Sequence, residues 1–444
     1  MAKQVKSVGD FDRINSLPDH ILCYILSFTP IEDAVQTSIL SRRWRYLFAS
    51  MPTLDFYRYL KHNHRRNCNN IWGFVDRLLF SPNQPGLECF RLFDDDDDHH
   101  SRLYGYISAA LRRGVKEIVI YSRNCPVFPT LLLTSRSLVI LKLNIKGEIK
   151  FPANACLPNL KTLHLTNRVF VDWSSIFRLI SSCHVLEDLV LHLSDYHNIR
   201  RVLSIHSLSL KRLELSFVGM MFDIPGDLNY VLEINTPSLV YLRCTELIVG
   251  GYNFISNMSS LEKAYISFFP FNRVATYTAD RVPGATHLSP AICNVQYLSF
   301  YIDNAETFFE TYLKPGLAFH NLVELEFIFP NEDWKGTWIV EFLCRVPNLK
   351  KLILNAGTVP EEGFRVAPEE VPSCVLYHLK VVEITSFEGD KHMFAIIRYL
   401  LNHGRVLEKL IVDVYAPCEE EEQIIIDELS SLPRNSKKCQ VEIL

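Results

Sequence analysis

The residues best suited to chemistry stand in two short clusters and a scatter of thiols. Asp94–Asp98, followed by His99 and His100, sets five carboxylates beside two imidazoles, and both groups ligate divalent cations. The run lacks the spaced Asp-x-Asp-x-Asp-Gly order of a calcium loop and reads as a solvated loop. His62-Asn63-His64 has the residue types of a nuclease triplet. It lies in a polar stretch, Lys61–Asn70, where three letters carry little weight. Twelve cysteines run from Cys23 to Cys439 with no two at C-x-x-C spacing, so a zinc ribbon or a thioredoxin-like site finds no support. A catalytic thiol needs a positioned base, and the spacing singles none out. Phosphate loops, dinucleotide fingerprints and nucleophile elbows have no match. No catalytic residue, metal ligand or cofactor site is assigned.

The elements around these residues are therefore the better guide. At 444 residues the chain exceeds the roughly 250–300 at which one core stops growing, so several domains or a repeat array are expected. A net charge of −4 is close to neutral, whereas a nucleic-acid binder needs a strongly basic face. Met1–Ser16 lacks the apolar core of a secretory signal, and no apolar run reaches the length of a membrane span. The expectation is a cytoplasmic and/or nuclear protein with reduced thiols and no membrane partner. In that setting the glycosylation pattern at Asn257-Met258-Ser259 is coincidental.

Leu17-Pro18-Asp19 opens the first structured segment, Leu17–Met51. Asp19 is placed to cap a helix on which Ile21, Leu22, Ile25 and Phe28 recur along one face. Thr29-Pro30 stops it, because the residue before proline disfavours the α region. A second helix is predicted over Ile31–Ile39. A third, over Ser41–Ser50, has Trp44, Leu47 and Phe48 on its apolar side. Three short helices make a poor independent core, so such a unit wants a partner groove. A further helix is predicted over Ile71–Phe80.

Beyond this the chain repeats. The unit is apolar-x-x-apolar-x-apolar, first at Leu87-Glu-Cys-Phe90-Arg-Leu92 and Val115-Lys-Glu-Ile118-Val-Ile120. It returns at Leu138, Leu160, Leu186, Leu210, Leu239, Leu261, Val295, Leu322, Leu349, Leu379 and Leu407, which makes thirteen copies. The mean step is about 27 residues, within the range of leucine-rich repeats. Each copy predicts a strand whose fourth and sixth positions point inward, as in Leu163 and Leu165 or Leu352 and Leu354. One strand cannot bury its leucines alone, whereas stacked neighbours make a continuous core. The Asn or Cys that normally follows the strand is mostly missing, and the longest step runs from Leu261 to Val295. The expected fold is α/β: three N-terminal helices, then an irregular leucine-rich-repeat solenoid with a curved parallel sheet and helices or loops on its convex side.

Leu17-Pro18-Asp19-His20-Ile21-Leu22, Ile25-Leu26-Ser27-Phe28 and Thr37-Ser38-Ile39-Leu40-Ser41-Arg42-Arg43-Trp44-Arg45 closely resemble the F-box of plant proteins. Phe28-Thr29-Pro30 departs from the usual Leu-Pro but keeps the helix stop. Val371-Pro372-Ser373-Cys374, Leu379–Ile384, Phe387-Glu388-Gly389, Tyr399-Leu400-Leu401 and Leu407-Glu408-Lys409-Leu410 look like the FBD domain. The resemblance to the plant F-box/FBD/LRR-repeat family implies an F-box over 10–56, a linker or helical cap over 57–86, repeats over 87–369 and an FBD region over 370–444 that continues the repeat.

It further implies a non-catalytic subunit of a ubiquitin ligase. The F-box would bind a Skp-type adaptor, and through it a cullin–RING ligase, while the repeats hold a protein substrate. Carried over, the adaptor-facing residues are Leu17, Pro18, Ile21, Leu22, Ile25, Leu40, Arg43 and Trp44. Arg and Trp are favoured interface anchors, and Pro18 and Trp44 are the members most expected there. For the substrate, outward strand positions that mix aromatic and polar groups suggest Tyr241, Arg243, Tyr265, Tyr297 and Tyr301 on the concave face. The competing reading is a protein-interaction scaffold that assembles no ligase.

Overall fold

The computed structural model describes residues 13–57, 69–80, 86–94, 100–123, 130–146, 151–167, 173–193, 202–216, 231–247, 252–253, 258–268, 292–302, 317–329, 337–356 and 371–444. They divide into two units, Met1–Asn167 and Arg168–Leu444. In both, each of the thirteen repeat starts is followed two residues later by the first residue of a strand.

The first unit holds β1 (Thr53–Asp55), β2 (Cys89–Asp94), β3 (Glu117–Ser122), β4 (Ile140–Ile145) and β5 (Thr162–Asn167), all parallel and in chain order. Parallel neighbours need a return segment between them. Here two such returns are the helices His100–Arg112 and Thr130–Leu133. A helix over Asn69–Phe80 precedes β2, and its Trp72 stacks on Tyr106 at 6.2 Å.

The second unit holds β6 (Asp188–Leu193), β7 (Val202–His206), β8 (Arg212–Ser216), β9 (Val231–Asn235), β10 (Tyr241–Leu247), β11 (Tyr252–Asn253), β12 (Lys263–Phe268), β13 (Tyr297–Ile302), β14 (Glu324–Phe329), β15 (Lys351–Ala356), β16 (Val381–Phe387), β17 (Lys409–Val414) and β18 (Gln440–Ile443). Its main sheet runs β6-β8-β10-β12 and then β13 to β18 in order. Between these strands, β7, β9 and β11 form a separate parallel sheet of three. The expected parallel repeat sheet is present, with one addition to the helices or loops expected on its returns: after β6, β8 and β10 the return includes a strand. The alternation in Val202-Leu-Ser-Ile205 and Val231-Leu-Glu-Ile234 carries period 2, but it lacks the leading leucine that marks a repeat.

Register explains why the repeat holds. Leu325, Leu352, Val382 and Leu410 are directly paired across β14 to β17, so equivalent positions stack into one apolar row. All thirteen repeat starts, from Leu87 to Leu407, are at most 2 % exposed. Burying each such side chain is worth about 1.5–3 kcal/mol. In the parallel row two residues further along each strand, aromatics replace leucine at Phe300 and Phe327, which pair with each other and then with Leu354, and helix Thr337–Leu343 covers them with Trp338 and Phe342. The register slips once in β10, between Cys244 and Leu247, and once in β16, between Ile384 and Phe387.

The repeat pattern does not mark the end strands β1 and β18. Each is short and carries a carboxylate that pairs inward, Asp55 with Arg91 at 3.0 Å and Glu442 with Lys409 at 2.6 Å. Short, charged edges are the usual protection against edge-to-edge pairing.

Ten described cysteines have free thiols. Burial pushes Cys244 and Cys374 up to about 12, and burial with the nearby Glu117 carboxylate does the same for Cys89. A thiol held so far above neutral pH carries almost no thiolate. Iodoacetamide at pH 7.5 should therefore label the exposed Cys156, Cys344 and Cys418 in the native protein, and Cys89, Cys244 and Cys374 only after denaturation. Peptide mapping by mass spectrometry checks this, and early labelling of Cys244 would contradict the packing of β10.

Candidate functional site

The N-terminal helical segment is built from Asp19–Leu26, Ile31–Gln36 and two 3₁₀ stretches, Thr37–Ile39 and Trp44–Ser50. The predicted second helix thus tightens after Gln36, and the predicted third is a 3₁₀ turn. The cap also differs from expectation. Pro18 occupies the N-cap, and its carbonyl accepts from the N–H groups of Ile21 and Leu22 at 3.0 and 3.1 Å. The Asp19 carboxylate instead binds Arg43, 2.6 Å from Nη2.

Arg43 also donates to the carbonyls of Asn15 and Leu17, so one guanidinium fastens the whole Leu17-Pro18-Asp19 turn. Trp44 serves the same turn. Its indole N–H donates to Asn15 Oδ1 at 2.6 Å, and its ring is only 7 % exposed. Leu22 is fully buried beside Cys23 and Leu26, and the Cys23 thiol reaches the Leu47 carbonyl at 3.3 Å. The structure therefore places Leu22 and Trp44 inside the segment. Leu17 is half-buried, while Pro18, Ile21, Ile25, Leu40 and Arg43 are exposed. Phe48 stacks on Phe74 at 5.7 Å, which joins the segment to helix Asn69–Phe80.

An apolar surface remains on the outside. Ile21, Tyr24 and Ile25 line one face of the first helix, and Phe28, in the turn after it, is 73 % exposed and edge-on to Tyr24 at 4.9 Å. Ile39 and Leu40, at 85 % and 65 % exposure, add a second ridge. Sequence reasoning missed Tyr24 and Ile39 as members of this surface. Spacing of three, four and seven from Ile21 is the signal that joins Tyr24 to Ile25 and Phe28. A group of large apolar side chains left in water on one small helical segment is the kind of surface that marks a binding face.

The second candidate lies on the open face of the main sheet in the second unit, opposite the buried leucines. Tyr241, Arg243, Tyr265 and Tyr297 come together across β10, β12 and β13. The Arg212 guanidinium sits 5.0 Å from the Tyr241 ring, Tyr241 packs on Tyr265 at 5.3 Å, and Tyr265 packs on Tyr297 at 4.9 Å. Arg243 lies over the Tyr265 ring at 4.8 Å. The Tyr297 hydroxyl donates to Glu326 at 2.6 Å, and burial with that carboxylate pushes its phenol well above the ordinary range. Tyr301 stands four residues further along β13, on the same face and half-buried.

Three family models match this chain: the F-box domain over 14–55, the LRR repeats of FBD-associated F-box protein At5g56370 over 103–250, and FBD over 367–412. An FBD-associated F-box protein of Arabidopsis thaliana is 33 % identical over 405 residues, covering 88 % of this chain and 90 % of its own. The chain belongs to the F-box/FBD/LRR-repeat family. An Arabidopsis F-box/LRR-repeat protein is 31 % identical over 98 % of this chain and 95 % of its own. A putative Arabidopsis F-box/FBD/LRR-repeat protein is 28 % identical, with 99 % of each covered.

F-box and LRR modules act by binding other proteins, and an F-box implies a Skp-type adaptor as partner. The repeat architecture runs beyond the matched LRR residues, through β12 to β17. The FBD match lies on two further copies of it: β16, helix Lys391–His403 and most of β17. Phe387-Glu388-Gly389 marks the turn between strand and helix. Gly389 has φ +83°, and a Cβ there would lie 2.8 Å from Ile425 Cδ1, so only glycine fits. Asp390 follows as the N-cap, accepting from the Met393 N–H at 2.7 Å.

Among the described residues, no group of three or more His, Cys, Asp or Glu could hold a metal ion. His62-Asn63-His64 and Asp95–His99 lie outside them. No described helix is long and apolar enough to cross a membrane.

Proposed function

We propose that this protein is the substrate-recognition subunit of an SCF-type (Skp–cullin–F-box) E3 ubiquitin ligase. Its F-box binds the adaptor, and the open face of its repeats binds a protein substrate. The observation that carries the reading is the uncovered surface of Ile21, Tyr24, Ile25, Phe28, Ile39 and Leu40 on an otherwise well-packed F-box. Of the residues suggested by resemblance, Pro18, Ile21, Ile25 and Leu40 belong to the adaptor contact. Leu17 and Arg43 shape the turn beside it, and Leu22 and Trp44 support it from within. Tyr241, Arg243, Tyr265, Tyr297 and Tyr301 are the substrate-facing group.

No chemistry is required of the chain itself. It raises the local concentration of substrate beside a ligase whose other subunits transfer ubiquitin. Reconstitution with a Skp-type adaptor and a cullin–RING core tests this. The expected result is a stable complex that retains cullin only when the adaptor is present. Adaptor binding without cullin retention would instead support a scaffold that assembles no ligase.

A further inference from the structure

The open face of the second unit's main sheet is laced with ion pairs, and two of its cations stand outside them. Arg212 holds Asp188 at 3.0 Å and Glu214 at 2.6 Å. Lys351 bridges Glu324 at 3.3 Å and Glu383 at 3.0 Å, and Lys409 holds Glu442 at 2.6 Å. Arg243 and Lys263 have no carboxylate partner among the described residues. They are neighbours, because β10 and β12 pair Tyr241 with Lys263 and Arg243 with Tyr265.

Arg243 carries a further mark. Its Nε is buried and has no hydrogen-bond acceptor. A guanidinium is all donors, and a buried donor left unmade is costly. The acceptor nearest in register is Glu214 on β8, but its oxygens already serve Arg212 and, at 3.1 Å, His192. The carboxylate on the far side, Glu326, holds the Tyr297 hydroxyl at 2.6 Å. Among the described residues, the fold therefore leaves a cationic pair beside the tyrosine rings, with the carboxylates of Glu214 and Glu326 already engaged.

We propose that this pair is the anchor point for an acidic segment of the substrate, with one Asp or Glu carboxylate on Arg243 and Lys263 and a flanking planar or apolar residue on Tyr241 and Tyr297. A carboxylate matches the fork of a guanidinium and supplies the missing acceptor. A phosphate fits less well. It brings nearly two charges into a site flanked by Glu214 and Glu326, where like charges repel. The inference rests on the reading that this face captures substrate, and it adds the class of substrate segment captured.

The test is an array of short peptides with randomised flanks and a central residue fixed as Glu, Gln, phosphoserine or Lys, probed with the full-length chain. Glu is expected to exceed Gln by about tenfold, with the margin shrinking as salt rises. Arg243→Gln should erase that margin with only a small drop in melting temperature, since it loses the contact with the Tyr265 ring but no ion pair. Tyr265→Ala should weaken binding to every peptide. Equal binding of Glu and Gln, a preference for phosphoserine or Lys, or no binding to any peptide overturns the proposal. Equal binding that Tyr265→Ala still abolishes would overturn the acidic anchor alone and leave the substrate face in place.

Discussion

Ile39→Asp combined with Leu40→Asp is expected to abolish capture of a Skp-type adaptor while the protein stays folded. Both side chains are mostly in water, at 85 % and 65 % exposure, so an aspartate at either place disturbs little in the free chain. In a complex the same positions lose their solvent. Each change then forfeits about 1.5–3 kcal/mol of apolar burial and adds the cost of desolvating an unpaired charge. Together these exceed about 4 kcal/mol, on the order of a thousandfold in Kd.

Binding measured by calorimetry, with circular dichroism as the control, gives a direct reading. Binding within a few-fold of the unchanged protein would show that the adaptor sits elsewhere. Trp44→Ala makes the instructive contrast. Its ring is 7 % exposed and its N–H holds Asn15, so that variant should lose adaptor binding together with the local fold. Only the surface pair separates contact from support.

Phe342→Ala should produce the largest loss of stability. The ring is fully buried and packs on Phe300, Phe319 and Phe327 at 6.2, 5.5 and 5.4 Å. Truncating a buried Phe costs about 3–5 kcal/mol, a large share of the roughly 5–15 kcal/mol that keeps a domain folded. In a stacked array each repeat is supported mainly by its neighbours. The damage should therefore centre on β13 to β15 and open a low-denaturant transition before the rest of the second unit unfolds. Urea titration followed by tryptophan fluorescence measures it, because Trp338 lies 5.1 Å from Phe327. A loss below about 1 kcal/mol would mean that the site collapses around the gap, contrary to the close packing seen there.

The repeat strands were legible because their signal is local and redundant. An apolar residue, usually leucine, two residues before each repeat strand, and two more apolar residues inside it, recur in every copy, and parallel stacking rewards that spacing alone. The end strands were not legible. Thr53–Asp55 and Gln440–Ile443 are held by backbone pairing to β2 and β17, and they carry no leucine ladder of their own. Strands β7, β9 and β11 escaped for a related reason, since Arg200, Asn229 and Gly250 stand where a repeat would have its leading apolar residue.

At the F-box, sequence alone determined that a helical unit with more apolar surface than it can bury begins near Leu17. It could not divide that surface. Ile21, Leu22 and Ile25 are alike in chemistry and adjacent on one helix, yet Leu22 is sealed inside while Ile21 and Ile25 face water. The division is set by where Trp44–Ser50 crosses the first helix, through contacts such as Cys23 to the Leu47 carbonyl. The same holds for the substrate face. The residue types at Tyr241, Arg243, Tyr265 and Tyr297 could be read from the strand period. Which cations were already neutralised depended on register across strands 22 to 34 residues apart in sequence, which only the tertiary structure decides.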